Sequence, residues 1–318
     1  MNILDTIEPK ISSRAKEILE EFGKVESLSL SQLDFYQKVC DYEVLFVGLG
    51  LTIDKNTIDA AKKLKVIATA TTGLDHIDVA YAKQKGIEIL SLRGEDEFLN
   101  SITGTAELAF GLMLDVVRNV SVSFESVKNY QWDREKFCGH SVEGKILGIV
   151  GFGRLGKMMA KYGKAFGMKV IVCDPNKTKD ESIKAGVKKV EFDELLCESD
   201  IISLHVHLSD ETENMFTEKV FQKMKSSAYL INTSRGKIVN ENDLLVALKN
   251  KTIAGYGADV LAGELNFSEI FENHPLVEYS KTHDNLIITP HIGGMTHESR
   301  EATDIFMAEK LKKYLMGL

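Results

Sequence analysis

Three side chains in the second half of the chain could together bind a carboxylate and move a proton: Arg235, Glu264 and His291. The guanidinium of Arg235 is always charged and planar, so it can hold a carboxylate and polarise a neighbouring carbonyl. Histidine is the side chain suited to proton transfer at physiological pH, so His291 can donate a proton to a carbonyl oxygen that is being reduced, or accept one in the reverse direction. A carboxylate hydrogen-bonded to this imidazole, as we expect of Glu264, would fix its tautomer and keep its acid form available.

Each of these residues alone has a plainer explanation, and only their joint placement indicates a site. A strand-end arginine is often part of a surface ion pair, a single histidine often packs in a core, and an acid in a loop is often only solvated. The sequence predicts strands at 228–232, 253–258 and 286–289, and the three residues follow these strands in turn. Because ligands of open parallel sheets bind at the carboxyl ends of strands, we expect an arginine, a carboxylate and a histidine to meet there.

A glycine-rich turn predicts a dinucleotide at the same sheet. The apolar run 145–150 ends in Gly151-Phe152-Gly153-Arg154-Leu155-Gly156, and a helical pattern begins at once. Gly151 can take the tight turn, Gly153 lets the backbone approach a pyrophosphate, and Gly156 lets the helix pack close to the strand. The next strand, 168–173, ends in Asp174, where the ribose of a dinucleotide needs a carboxylate. The alternative is a βαβ unit whose glycines serve packing only.

Composition limits the class of protein. The 318 residues predict about two domains, and the formal net charge of −8 without a long basic block argues against nucleic acid or an anionic membrane as the main partner. No apolar run approaches the roughly 18 residues of a membrane span, and the N-terminus lacks the form of a signal peptide. The four cysteines are scattered without a Cys-x-x-Cys pair, which favours reduced thiols and a cytoplasmic location. His205-Val206-His207 could begin a metal site, but no third ligand follows by spacing, so we expect no metal and strand-end packing beside the cofactor instead.

The remaining chain predicts two α/β units joined by a long helix. Strands and helices alternate up to about residue 97, with strands at 44–47, 65–69 and 87–90 and helices beginning at 54 and ending near 85. One helical pattern covers 100–118; it could be a hinge, a dimer element or simply a core helix. The segment 121–144 has no clear period and could be an arm on a partner subunit or a surface loop. Helices are predicted at 241–248 and 296–315. The segment 263–285 between them shows no clear element, which is long for a compact domain. Internal repeats are absent from the sequence.

These motifs together resemble the D-isomer-specific 2-hydroxyacid dehydrogenases. The similarity covers nearly the whole chain, because four further ordered motifs accompany the glycine turn, around residues 204–214, 230–245, 258–264 and 289–299. The resemblance implies an α/β fold with two Rossmann-like parallel-sheet domains. A flavodoxin-like substrate domain would comprise residues 1–99 and 292–318, and an NAD-binding Rossmann domain, 100–291, would be inserted within it. It also implies a homodimer built on the cofactor domains.

The resemblance further implies roles for individual residues. Arg235, Glu264 and His291 would be catalytic, Asp259 would hold the nicotinamide carboxamide, and Arg154 and Leu155 would offer amides to the pyrophosphate. Val206, Thr233 and Ser234 would line the cofactor cleft, with Thr105 near the cofactor. The substrate would be reached by the turn Thr72-Gly73-Leu74 and by the loop at Gly48. The loop at Gly48 lacks a basic side chain that could bind the phosphate of a phosphorylated substrate.

The sequence therefore predicts an NAD-dependent oxidoreductase that interconverts a small D-2-hydroxy acid and its 2-keto acid. NAD is favoured over NADP because Asp174 would accept the ribose hydroxyls and repel a 2′-phosphate. A non-catalytic NAD-sensing scaffold of the same fold is the alternative. Two residues, His207 and Leu265, depart from the family pattern, in which prolines are usual at these positions.

Overall fold

The computed structural model describes residues 1–7, 10–264 and 272–317. By its internal contacts the chain divides into two compact units, one formed by Met1–Ile102 with Met295–Leu318 and the other by Thr103–Gly294. The first unit is discontinuous in sequence, since the second is inserted within it. Each is described by itself below.

The first unit is built on a parallel sheet. Its strands are β1 (Asn2–Asp5), β2 (Lys24–Ser27), β3 (Val44–Val47), β4 (Val66–Thr69) and β5 (Glu88–Leu90). Among the described residues this is a five-stranded sheet of order β2-β1-β3-β4-β5, with every pairing parallel. The apolar runs of β3 and β4 are buried along their whole length, as expected of strands covered by helices on both faces.

Helices cover both faces of this sheet. They are α1 (Ser13–Glu20), α2 (Gln32–Lys38), α3 (Lys55–Ala60), α4 (Val79–Gln84), α5 (Asp96–Leu99) and the C-terminal helix His297–Met316. Polar side chains cap several of them: Ser12, Ser31, Asp54 and Asp78 each accept a hydrogen bond from an amide in the first turn. The C-terminal helix buries Met307, Ala308 and Leu311 in the same apolar cluster as α1.

The second unit carries a larger parallel sheet. Its strands are β6 (Ile146–Val150), β7 (Lys169–Cys173), β8 (Lys188–Lys189), β9 (Ile201–Leu204), β10 (Tyr229–Asn232), β11 (Gly255–Ala258) and β12 (Leu286–Ile288). Within the described ranges it has seven strands in the order β12-β11-β10-β9-β6-β7-β8, all paired in parallel. The strand order reverses beside β6, which is the arrangement of a doubly wound fold. Two parallel-sheet α/β units confirm the predicted fold class.

The helices of the second unit are α6 (Gly104–Arg118), α7 (Val120–Lys128), α8 (Arg154–Ala165), α9 (Lys179–Lys184), α10 (Phe192–Glu198), α11 (Glu218–Phe221), α12 (Glu241–Lys249) and Pro275–Ser280. Short 3-10 turns cover Glu135–Phe137 and Gly236–Ile238 in this unit and Val39–Asp41 in the first unit. Across the described ranges, none of the helices combines the length and apolarity that a bilayer crossing requires.

Three predictions of secondary structure were wrong. The long helix begins at Gly104 rather than at 100, since Ser101 bonds the Phe98 carbonyl through its hydroxyl and polar residues of this kind compete with the helical backbone. The segment 121–144 contains α7, which the sequence did not reveal because its first apolar residues alternate with serines and do not mark a buried helical face. Within 263–285 a helix starts at Pro275, where proline suits the first helical position; the part from 265 to 271 lies outside the described residues.

The position of α6 decides one of the open alternatives. Its residues Ala109, Met113 and Val116 are buried in the apolar cluster that also holds Leu147 of β6 and Ile231 of β10. The helix is therefore a core helix of the second unit. Whether it also contributes to an interface between subunits stays a prediction.

Candidate active site

Three neighbouring strands of the larger sheet present the predicted acid–base residues. β10, β11 and β12 lie side by side, in register and parallel, so their carboxyl ends open at one edge. Arg235 follows β10, Glu264 follows β11 and His291 follows β12. The local backbone after each strand determines where these side chains point.

His291 and Glu264 are in direct contact. The imidazole Nδ1 and the carboxylate Oε1 lie 2.6 Å apart, and the two side chains are 29% and 17% exposed. An ionised carboxylate can only accept a hydrogen bond, so Nδ1 carries the proton and Nε2 is the nitrogen directed elsewhere. The other oxygen of Glu264 accepts the Leu261 amide at 3.1 Å, which orients the acid within its own loop.

The backbone at His291 is left-handed, with φ of 54°. Such a conformation is uncommon for a side-chain-bearing residue and costs about 1–3 kcal/mol, so the surroundings must enforce it. Asp259 supplies the restraint: its Oδ1 accepts the Thr289 hydroxyl at 2.6 Å and the Ile292 amide at 2.8 Å, and its Oδ2 accepts the Gly293 amide at 2.7 Å. One buried carboxylate thus closes the loop on both sides of the histidine.

Burial raises the pKa of Asp259, and its hydrogen bonds to Thr289, Ile292 and Gly293 oppose that rise. The carboxylate is 1% exposed. The sequence assigned it to the nicotinamide carboxamide, while the structure shows it first of all folding the His291 loop. That function could not be recognised from the sequence, because its partners lie more than 29 positions away.

Arg235 lies in a turn organised by the last residue of β10. Asn232, fully buried, donates from its amide nitrogen to the Arg235 carbonyl at 2.9 Å and accepts the Ser234 amide at 3.0 Å. The Ser234 hydroxyl donates to the Leu204 carbonyl at 2.7 Å, tying the turn to the neighbouring strand. The guanidinium is half-buried, and its Nη1 donates to the Ser234 carbonyl at 2.7 Å. The positioning role of Asn232 was not predicted from the sequence, although an asparagine whose side chain can accept the amide two residues on is a recognisable turn signal.

The glycine turn has the backbone geometry that the sequence predicted from it. Gly151 has a φ of +90°, and a Cβ there would overlap the His205 carbonyl. A Cβ on Gly156 would overlap the Gly151 carbonyl, so only glycine allows α8 to approach β6 this closely. Gly153 is exposed, and a Cβ on it would meet nothing within 4 Å. Arg154 and Leu155 begin α8, and first-turn amides of a helix are the ones available to an anion.

Asp174 is held against this turn. Its Oδ2 accepts the Phe152 amide and its Oδ1 accepts the Asn176 amide, both at 2.8 Å. A carboxylate has about four acceptor positions, so two hydrogen bonds leave capacity for ribose hydroxyls. The side chain is half-buried at the end of β7.

The other predicted cofactor residues lie at the ends of β9 and β10, except Thr105 of α6, which lies beside Gly293 after β12. A Cβ on Gly151 would lie 2.8 Å from Cγ1 of Val206, and a Cβ on Gly293 would lie 3.1 Å from Cγ2 of Thr105. The Thr233 hydroxyl is buried and, in the described part of the chain, has no hydrogen-bond partner. A buried hydroxyl without a partner is costly, and a polar ligand at this strand end would satisfy it.

The two histidines near β9 behave differently. The strand ends at Leu204, so they do not share a strand face. His205 is half-buried, with its Nδ1 atom enclosed and its Nε2 atom 2.9 Å from the Ser203 hydroxyl, while His207 is exposed. Burial lowers the pKa of His205 to about 4. Within residues 1–7, 10–264 and 272–317, no three His, Cys, Asp or Glu side chains are grouped so that they could hold a metal ion.

The predicted substrate residues belong to the first unit. Thr72, Gly73 and Leu74 form the turn after β4, where the Thr71 hydroxyl donates to the Gly73 carbonyl at 2.8 Å and the Leu74 carbonyl accepts the Ile77 amide at 2.9 Å. Gly48 follows β3, and a Cβ there would find open space. Both segments leave the carboxyl edge of the five-stranded sheet.

Comparisons with known proteins agree with this architecture. The sequence profile described as "D-isomer specific 2-hydroxyacid dehydrogenase, NAD binding domain" matches residues 110–293. A D-3-phosphoglycerate dehydrogenase of Methanocaldococcus jannaschii is 37% identical over 305 residues, 95% of this chain and 56% of that protein. A glyoxylate reductase of Thermococcus litoralis is 38% identical over 288 residues, 88% of this chain and 83% of that protein.

A solved structure extends the similarity to the whole chain. D-lactate dehydrogenase from Aquifex aeolicus, crystallised with NAD and lactic acid, superposes with a TM-score of 0.84 at 28% identity, covering 100% of this chain and 96% of that one. The chain thus spans nearly all of some relatives but little more than half of the M. jannaschii protein.

Proposed function

The chain belongs to the D-isomer-specific 2-hydroxyacid dehydrogenase family of NAD-dependent oxidoreductases, and from that premise we propose that it interconverts a small D-2-hydroxy acid and its 2-keto acid. The observation that carries the proposal is the 2.6 Å contact between His291 and Glu264, at the same sheet edge as Arg235. A 2-hydroxy or 2-keto acid carries a carboxylate and, on the next carbon, an oxygen that loses or gains a proton. Arg235 suits the carboxylate, and the His291–Glu264 pair suits the proton transfer.

His291 is the proton donor and acceptor. With Nδ1 held by Glu264, Nε2 is the atom that gives a proton to the keto oxygen during reduction and takes the hydroxyl proton during oxidation. Glu264 stabilises the charged imidazole and fixes its tautomer, as carboxylates do for catalytic histidines. The Nδ1 proton thus stays in place, while the Nε2 proton passes between the imidazole and the substrate oxygen.

Arg235 binds the substrate carboxylate. Its planar guanidinium can form two parallel hydrogen bonds with a carboxylate, which places the adjacent carbonyl carbon at a fixed distance and orientation. For this the Nη1 group exchanges its bond to the Ser234 carbonyl for one to the substrate. Asn232 keeps the backbone of the turn in place during that exchange.

NAD fits the residues at the end of β6. The positive φ of Gly151, the open side of Gly153 and the close approach at Gly156 leave room for a pyrophosphate beside the first turn of α8. The buried Thr233 hydroxyl, which has no hydrogen-bond partner among the described residues, offers a donor at the end of β10. When bound, NAD accepts or supplies the hydride. The Asp174 carboxylate binds the ribose hydroxyls and repels a 2′-phosphate, so we expect NAD rather than NADP. Arg154, Leu155, Val206, Ser234, Asp259 and Thr105 complete this half of the site.

The first unit supplies the substrate contacts in this proposal. Thr72, Gly73 and Leu74, with the loop at Gly48, would select the side chain of the acid, and residues 1–99 with 292–318 would act as the substrate domain. The lack of a basic side chain at Gly48-Leu49-Gly50 favours an unphosphorylated acid. Two relatives are named glyoxylate reductase and hydroxypyruvate reductase, which supports the same class of substrate.

A spectrophotometric screen tests the proposal. Glyoxylate, hydroxypyruvate, pyruvate and phosphorylated 2-keto acids are offered with NADH, and with NADPH in parallel, while loss of the reduced cofactor is followed. We expect turnover with at least one small keto acid and a preference for NADH. Binding of NADH without turnover of any keto acid would contradict the proposal and favour the alternative, a non-catalytic NAD-sensing scaffold.

We also propose that the protein is a cytoplasmic homodimer that associates through its second unit. Helix α7 exposes Val120, Phe124 and Val127 at helical spacing, and Tyr130 and Trp132 beyond it are 100% and 89% exposed. An exposed apolar patch of this kind marks an interaction surface. Light scattering on the purified protein should give twice the monomer mass, and Phe124→Glu should shift it to the monomer.

A further inference from the structure

The turn that carries Arg235 and the loop that carries Glu264 pack backbone against backbone. The contact is made by Gly236: a Cβ at this position would overlap the Leu261 carbonyl carbon and the Ala262 nitrogen. Glycine is therefore required between the two segments. Their relative position still needs a directional restraint, because van der Waals contact alone does not fix orientation.

A second carboxylate provides that restraint. Glu241, the first residue of α12, accepts the Ala262 amide with Oε1 at 2.8 Å. Its Oε2 lies 3.3 Å from Nε2 of His274, and the two side chains are 19% and 6% exposed. Glu241 thus links three segments: α12, the loop after β11 and the start of the helix at Pro275.

Successive amides of one loop are directed to two different acids. The Leu261 amide donates to Glu264, and the next amide, Ala262, donates to Glu241. The loop is consequently held at two successive amides just before Glu264. Burial raises the pKa of Glu241 and the neighbouring Glu264 charge adds to this, while the Ala262 amide and His274 oppose it.

An acid in the first turn of a helix often only complements the helix dipole. Here the capping position is already filled, because the Asn240 side chain accepts the Asp243 amide at 3.1 Å. The Glu241 carboxylate instead reaches a residue 21 positions along the chain. Its placement is therefore explained by the loop, not by its own helix.

We propose that Glu241, supported by His274, is a positioning residue that holds the Glu264 loop so that Glu264 meets His291. This inference rests on the proposed oxidoreductase function for its kinetic consequence, but not for its structural one. The restraint acts through the reach of a hydrogen-bond acceptor: an acceptor at the Glu241 Oε1 position keeps the loop in place, whether or not the side chain is charged.

Two conservative variants separate reach from charge. Glu241→Gln keeps the side-chain length and an acceptor oxygen but removes the charge. Glu241→Asp keeps the charge and remains favourable in a first helical turn, but withdraws the oxygens by about 1.5 Å. Asp243→Ala is the matched control, since Asp243 lies in the same turn and its carboxylate accepts the Glu218 amide instead of a loop amide.

We expect Glu241→Asp to lower kcat by about 10- to 100-fold, because a displacement of about 1 Å at a catalytic group costs up to that factor. Its Kd for NADH, measured by fluorescence, should be unchanged, since the glycine turn is elsewhere. Glu241→Gln should retain kcat within about threefold of the wild type, as should Asp243→Ala. Amide hydrogen exchange at Ala262 should accelerate in Glu241→Asp only.

The inference would be overturned if Glu241→Asp kept the full kcat and unchanged exchange at Ala262. It would also be overturned if Glu241→Gln lost as much kcat as Glu241→Asp. An equal loss in Asp243→Ala would also contradict it, because it would reveal general weakening of the helix. If the wild type turns over no keto acid, the proposed function fails. The exchange measurement then still decides whether Glu241 holds the loop.

Discussion

In the glycine turn, six consecutive residues set the geometry with backbone atoms, whereas Arg235, Glu264 and His291 come from three strand ends and are held by side-chain hydrogen bonds. The turn depends on the lack of side chains at its glycines. The acid–base cluster depends instead on the hydrogen bonds of side chains, including those of Asp259 and Asn232. The difference implies that the two regions fail separately. Damage to the cluster should remove chemistry and leave cofactor binding, while damage to the turn should do the reverse.

The largest effect is expected from His291→Ala. Loss of the proton donor should lower kcat by about 10²–10⁴-fold, the usual contribution of general acid–base catalysis. NADH should bind as in the wild type, because the imidazole contacts Glu264 and not the glycine turn. Steady-state kinetics and a fluorescence titration with NADH measure the two halves. Loss of both together would show that the regions are not separable.

Substitutions in the turn should give the opposite pattern. In Gly156→Ala the new methyl group overlaps the Gly151 carbonyl, and overpacking of this kind costs about 1–3 kcal/mol. We expect NADH affinity to fall by roughly 10- to 100-fold, with the proton-transfer groups intact. In Gly153→Ala a methyl group meets open space, so the free energy of unfolding should be unchanged and only NADH affinity should fall. If Gly153→Ala destabilised the protein as much as Gly156→Ala, the backbone account of the turn would be wrong.

Asp259→Asn tests whether the cluster depends on its buried restraint. The amide retains one acceptor for Thr289 and Ile292 but faces the Gly293 amide with a donor. Leaving that amide unpaired should cost about 1–3 kcal/mol of unfolding free energy, and kcat should fall as the His291 loop relaxes. Denaturant unfolding and kinetics check both. Unchanged kcat alongside lost stability would mean that Asp259 supports the fold only.

The smallest effect is expected from His205, beside the glycine turn, and concerns the pH dependence of the free energy of unfolding. His205, whose carbonyl packs against Gly151, has its pKa lowered by burial to about 4 from 6.5. The unfolded chain therefore binds this proton first, so its contribution to stability is complete above pH 6.5 and is lost as the pH falls toward 4. We expect the unfolding free energy of the wild type to fall more than that of His205→Gln as the pH decreases across that range. Identical pH dependence of unfolding in the two proteins would contradict the burial of a neutral imidazole.

The same contrast explains what could be predicted from the sequence. The fold class, most strands, and the close approaches at Gly151 and Gly156 follow from contiguous residues, because local patterns determine them. The contributions of Asp259, Asn232 and Glu241 could not be predicted, since each acts on backbone amides or carbonyls that only the tertiary structure brings near. Helix α7 was missed for a related reason: its apolar residues face outward and give no core signal.

The most direct test of the central claim is a single-turnover experiment with Glu264→Gln. Enzyme saturated with NADH is mixed with the best keto acid from the screen, and the loss of reduced cofactor is followed for the variant and the wild type. We expect a rate at least about tenfold lower in the variant, at an unchanged Kd for NADH. A wild-type rate in Glu264→Gln would contradict the assignment of the His291–Glu264 pair as the acid–base element.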